Sequence, residues 1–195
     1  MDNYKRYDLL KESRYNKRGL SYLLMRKKLD RTIIPYIKQI NSKSVLEVGI
    51  GYGYYLNVYS HDNHIVGFDV NPEMGSNLGI EIIAGKADEI GSVNRKFDRI
   101  LSFFMTEYLN KDELQNFIND SIDLILNDEG IFTTTIIVKK GLGRIYTKLA
   151  TIKGINKYSY KYSEIEAMVR GRDYRLIPLN TYCRIPMAVM LEVKK

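Results

Sequence analysis

The chain has 195 residues, 45% of them apolar and 27% charged, the balance of one ordinary globular domain. A single cysteine, Cys183, excludes an intrachain disulfide, and with only His61 and His64 beside it no zinc-ligand spacing exists; neither a metal nor thiol catalysis is expected. No signal-peptide core opens the sequence and no run reaches the roughly 18 uncharged residues of a bilayer span, so the protein is expected in the cytoplasm. The net charge of +7 is unevenly spread: residues 1–44 carry +8, residues 45–138 carry −10 and residues 139–195 carry +9.

In chain order, residues 1–43 read as a basic helical cap. Ser44 to Val48 is a short apolar run that stops at glycines, as a strand buried on both faces does. A helix is expected over Tyr54 to His61, then strands over His64 to Asp69, Ile80 to Ala84, Phe97 to Phe104 and Ile131 to Val138. Between the last two, Asn110 and Glu113 open a helix over Lys111 to Asn127, whose Leu114, Phe117, Ile118, Ile122 and Ile125 share a face. Ser163 and Glu166 read as a capping box for a helix ending at Arg170, before Gly171. Tyr174 to Tyr182 and Met187 to Val193 are strands joined too tightly for a crossover, and so are antiparallel. The alternation of strand and helix implies an α/β fold of the Rossmann-like doubly wound kind, with a mostly parallel sheet.

The segment Glu47-Val48-Gly49-Ile50-Gly51-Tyr52-Gly53 runs a strand into a glycine loop that opens a helix, where backbone can approach a ligand closely. Asp69 ends the next strand, placed to accept hydrogen bonds from ribose hydroxyls at the carboxyl edge of the sheet. The dinucleotide fingerprint needs a third small residue, but Tyr54 or Leu56 stands there, and no Gly-Lys-Ser/Thr follows the glycines. A nucleoside ligand without phosphates is therefore expected.

With these features the chain resembles the class I S-adenosylmethionine-dependent methyltransferases, especially the small-molecule "type 11" group. The glycine motif, Gly67-Phe68-Asp69-Val70-Asn71-Pro72-Glu73-Met74, Ala87-Asp88-Glu89-Ile90, and Phe97 to Ser102 followed by Glu107-Tyr108-Leu109 carry the resemblance from Val45 to Val138. It implies S-adenosyl-L-methionine as cofactor, with S-adenosyl-L-homocysteine as product. Gly49, Gly51 and Gly53 would cradle its methionine part, Glu47 would lie near its amino group and Asp69 would hold its ribose. Val70, Met74, Ala87 and Asp88 would surround the adenine, and Ser102 and Phe103 would sit at the sulfonium. The sequence departs from the family in having Tyr108 where many relatives have His, and one glycine, Gly130, at a turn where two are common.

No catalytic motif is required for methyl transfer; Glu107, Tyr108, Tyr15 and Tyr22 are candidates by location, against the plain alternative that they cap and pack. Residues 44–138 form the cofactor core and residues 139–162 a basic insertion over the substrate pocket, where Lys139, Lys140, Arg144 and Lys148 would meet an acidic small or lipid-like acceptor. Residues 163–195 supply the last helix and the strand pair. Ile145, Tyr146, Leu149 and Ile152 form one helical stripe, expected to face the core with lysines snorkelling beside it, or else to be a lid or a membrane-surface contact. RNA is the rival partner, and a non-catalytic cofactor-binding module the third reading.

Overall fold

Short β-branched runs, broken by glycines and by Asn71-Pro72, fold into strands β1 (Ser44–Val48), β2 (His64–Asp69), β3 (Glu81–Ala84), β4 (Phe97–Ser102) and β5 (Leu126–Ile137). All five run parallel, and β6 (Asp173–Asn180) and β7 (Pro186–Lys194) complete a seven-stranded sheet in the order β3-β2-β1-β4-β5-β7-β6. β7 is antiparallel to both its neighbours, and for β6 the tight connection requires it. The structure is a computed structural model describing residues 20–41, 43–59, 61–152, 154–180 and 185–195, with side chains from residue 27. The side chains of Tyr15, Tyr22, Lys153, Tyr182 and Cys183 lie outside the described residues.

Strand alternation sends Leu46, Val48, Ile100 and Phe132 to one face, where helices α3 (Lys111–Asp120) and α5 (Tyr162–Met168) cover them. Val45, Leu101 and Met190 point the other way, against α1 (Leu20–Ile37), α2 (Leu56–Tyr59) and α4 (Gly141–Ile152). Among the described residues no helix is long and apolar enough to cross a membrane.

The structure shifts several expected boundaries. The helix after the glycine loop is one turn long, because the backbone stays in turns through Tyr55, with Gly51 and Gly53 at positive φ. β4 stops at Ser102, and Phe104 takes φ +58, which a strand cannot accommodate. α3 follows its capping box, Asn110 accepting from Asp112 and Glu113, but turns into a π-helix over Ser121–Ile125 and leads directly into β5. At the turn inside β5, Glu129 adopts φ +64, filling a left-handed position without glycine. α5 starts earlier than expected: Glu164, not Glu166, accepts the Lys161 N–H.

The expected core stripe of α4 is a correction. Gly143, Thr147 and Ala150 are its buried residues, while Ile145, Leu149 and Ile152 are 53%, 53% and 81% exposed. A Cβ on Gly143 would lie 2.2 Å from the Val138 carbonyl and 2.5 Å from that of Met187, so the helix presses its small side onto the sheet. Only Tyr146 of the predicted stripe turns inward.

Candidate functional site

The chain builds β1, β2 and β3 outward in one direction, then returns to lay β4 and β5 on the other side of β1. The carboxyl ends of β1 and β4 thus flank the switch point at which open α/β sheets bind ligands.

On the β1 side, Gly49, Gly51 and Gly53 have φ of +72, +53 and +65, conformations that a side chain would strain. The Gly49 N–H donates to the Phe68 carbonyl at 2.7 Å, stitching the loop to β2. Asp69 holds the same loop from its other side: Oδ2 accepts the Gly51 N–H at 2.8 Å and Oδ1 the Asn71 N–H at 2.9 Å. Each oxygen has a second lone pair, so the carboxylate can still accept from hydroxyls of a ligand. Met74 comes from a 3₁₀ turn, Pro72–Gly75, and its methyl carbon lies 3.3 Å from where a Cβ of Gly51 would be. Val70 is exposed, and Ala87 and Asp88 are half-buried at the start of a second 3₁₀ turn. Glu47 is buried on the α1–α2 face of the sheet, where the Tyr59 hydroxyl donates to it. Burial first, and then the Glu47 charge, push the Tyr59 phenol well above its ordinary range, so it stays a donor.

On the β4 side, Ser102 is fully buried and its Oγ has no hydrogen-bond partner among the described residues. An orphaned hydroxyl at the end of the central strand fits a site that accepts a polar ligand group. Phe103 is buried edge-on against Tyr55, with centroids 5.0 Å apart. Phe104, strained at positive φ, donates its N–H to Thr135 Oγ1 at 2.7 Å. That kink carries Met105 over the glycine loop, where a Cβ on Gly49 would meet its Cγ at 2.5 Å.

Two residues later lies a polar cluster. Glu107, 5% exposed, accepts from the Lys157 ammonium and from the Tyr146 hydroxyl, the latter at 2.9 Å. The ammonium stands 4.6 Å from the ring centroids of both Tyr108 and Tyr146. The Glu107 carbonyl also accepts the Tyr158 N–H at 2.7 Å, which ties the segment after α4 to the end of β4. Glu107 and Tyr108 therefore meet at one place, with Glu107 ion-paired; Asn110 and Glu113, not Glu107, cap α3.

Lys139 and Lys140 are exposed just beyond β5, and Arg144 and Lys148 are exposed on α4. At 3.6 residues per turn, the last two sit about 160° around the helix from Tyr146, so they do not converge on the Glu107 cluster.

Sequence reasoning missed three contributors. Asp30 of α1 accepts from the hydroxyls of Tyr54 and Tyr55, both at 2.8 Å, and so braces the chain just after the glycine loop. Thr135 supports the Phe104 kink, and Lys157 neutralises Glu107. Only the neighbouring polar types, a tyrosine pair and a lysine in an acid-free stretch, were visible beforehand.

No family model matches the chain, and no curated protein matches it in sequence. Solved structures do match in shape. A complex of DhpI with SAM and HEP aligns over 99% of this chain and 96% of its own, with a TM-score of 0.72 at 12% identity. Magnesium protoporphyrin IX methyltransferase from Synechocystis, with bound SAH, aligns over 99% and 95%, with a TM-score of 0.71 at 15% identity. A SAM-dependent methyltransferase from Archaeoglobus fulgidus aligns over 97% and 100%, with a TM-score of 0.69 at 16% identity. With strand order, glycine loop and antiparallel β7 in place, this chain has the fold of the class I S-adenosylmethionine-dependent methyltransferases.

Proposed function

We propose that the protein is an S-adenosylmethionine-dependent methyltransferase acting on an acidic or lipid-like small-molecule acceptor. The observation that carries this reading is the Asp69 carboxylate, locked to the Gly51 amide at the switch point with lone pairs to spare for a ribose. Neighbours of the same fold crystallised with SAM or SAH support the choice of nucleoside.

When bound, S-adenosylmethionine supplies a methyl already activated by its sulfonium, transferred by in-line displacement whose barrier falls mainly through alignment. The chain's own residues do the aligning. Gly49, Gly51 and Gly53 would cradle the methionine end and Asp69 the ribose, Met74 and Val70 would offer apolar surface to the adenine with Ala87 and Asp88 beyond, and Ser102 and Phe103 would close the β4 side. On the acceptor side, Glu107 and Lys157 are buried and the half-buried Tyr146 and Tyr108 are the members of the cluster that an acceptor can touch. Lys157 is a positioning residue, fixing Glu107 and through it Tyr146. An acidic acceptor is supported by the net charge of the acid-free segment as a whole and not by a cation at the cluster, since Arg144 and Lys148 face away from it and Lys157 is paired with Glu107.

Calorimetry tests the reading. S-adenosylmethionine and S-adenosylhomocysteine are expected to bind with micromolar affinity and NAD not at all; NAD binding more tightly than either would overturn it. Mass spectrometry of what co-purifies, followed by turnover of labelled methyl groups, identifies the acceptor.

A further inference from the structure

Helix α4 is inverted relative to an ordinary surface helix. Its small residues Gly143, Thr147 and Ala150 face the sheet, and the aliphatic residues Ile145, Leu149 and Ile152 face out at the same i, i+4, i+7 spacing, two positions along and so on the opposite side. Three large aliphatic side chains at 53–81% exposure on one helix face are more than scattered surface apolarity. Arg144 and Lys148 run along one edge of this stripe, exposed and without a hydrogen bond or ion pair from their side chains to a described residue; Lys139 and Lys140 precede the helix in the same condition. No Asp or Glu occurs between Glu129 and Glu164, so nothing acidic on this stretch balances them.

From this arrangement we infer that the outer face of α4 docks on an anionic lipid bilayer surface, the aliphatic stripe entering the interface and the cations meeting lipid phosphates. The composition favours lipid over other anionic partners. Nucleic acid is gripped by cations and stacked on aromatic faces, and Ile145, Leu149 and Ile152 offer no ring to stack. Hot spots of protein interfaces are enriched in tryptophan, tyrosine and arginine, and the stripe itself holds none of them, Arg144 lying at its edge. On its inner side the same helix carries Tyr146 to the Glu107 cluster, so docking would set the acceptor side of the proposed site against the membrane. The inference itself does not rest on methyl transfer.

Vesicle flotation of the full chain, without any cofactor, tests it. The protein is expected to float with phosphatidylcholine vesicles containing phosphatidylglycerol, to ignore pure phosphatidylcholine, and to be released as salt shrinks the Debye length from about 10 Å at 0.1 M to about 3 Å at 1 M. The variant Ile145→Ser/Leu149→Ser/Ile152→Ser should lose at least about tenfold in vesicle affinity, with an unchanged melting temperature because the three side chains are exposed. Arg144→Gln/Lys148→Gln should lose about thirtyfold, at roughly 1 kcal/mol per basic residue near the surface, and reads the same question if the serine variant does not fold. Serine substitution without effect on flotation would overturn the inference. So would size-exclusion showing that the stripe holds two copies together, or tighter binding of single-stranded RNA that survives the serine substitutions. None of these outcomes touches the calorimetric test of the cofactor.

Discussion

Asp69 serves the loop as well as any ligand, and this changes what its removal should do. The sequence alone suggests a residue that touches only the ribose, so that Asp69→Ala would weaken cofactor binding and leave the free protein's stability nearly unaltered. In the structure its two oxygens accept backbone amides at 2.8 and 2.9 Å, so Asp69→Ala also frees the glycine loop. Hydrogen bonds to charged groups are worth about 1.5–3 kcal/mol. The variant is therefore expected to bind S-adenosylmethionine at least about tenfold more weakly and to melt below wild type without ligand; unaltered affinity in calorimetry would remove Asp69 from the site. Lys157 poses a second single-residue question. Breaking a buried ion pair from one side costs about 3–5 kcal/mol, because the partner charge is stranded. Lys157→Met should fall in that range by chemical denaturation, and adding Glu107→Gln should recover more than half. A double variant as unstable as the sum of the singles would show that Glu107 and Lys157 are not coupled.

At the scale of elements, what could be read in advance followed the range of the interactions concerned. β1, β2 and the glycine loop are contiguous, and their residue types alone require a strand, a tight turn and a second strand; the Gly51–Asp69 contact then joins adjacent parallel strands. The α3 capping box is local for the same reason. Glu107, Tyr146 and Lys157 are separated by 39 and 50 residues and meet only after the segment beyond α4 folds back on β4, which no spacing rule anticipates. In α4 the aliphatic stripe and the small-residue stripe have the same period, so periodicity could not choose between them. Size did: Gly143 allows contact with the Val138 backbone just beyond β5 and with that of Met187 in β7 at a distance that a side chain as large as that of Ile145 could not reach. The early end of β4 was hidden because nothing in the Phe103-Phe104 pair marks the positive φ that Thr135 helps to hold.

At the scale of the whole molecule, the end of the sheet opposite the site is held by one carboxylate that joins three strands. Asp98 at the start of β4 accepts from the Ser44 backbone N–H at 2.9 Å and its hydroxyl at 2.8 Å in β1, and from the Asn127 amide at 2.8 Å in β5. These bonds, the Ser44 backbone N–H foremost, hold its carboxyl below the usual aspartate range against the opposing effect of burial. A depressed folded value means that the ionised form stabilises the fold, fully above the unfolded value of about 3.9 and less as pH falls through the folded value. Asp98→Ala is therefore expected to lose about 1.5–3 kcal/mol at neutral pH, a melting temperature lower by roughly 3–12 °C for a domain of this size. The difference from wild type should stay constant between about pH 5 and 8 and narrow only below about pH 4, where wild-type Asp98 takes up its proton. Thermal melts across that range read both quantities. A gap that stayed constant down to pH 3, or that narrowed near pH 6, would assign the strand-joining role to some group other than the Asp98 carboxylate. Because β1 and β4 also flank the switch point at their far ends, the same variant tests whether the site's geometry depends on this anchor. Cofactor affinity at neutral pH should stay within about twofold of wild type, since the pairing of Leu46 with Ile100 and Glu47 with Leu101 lies between the two ends and is independent of Asp98.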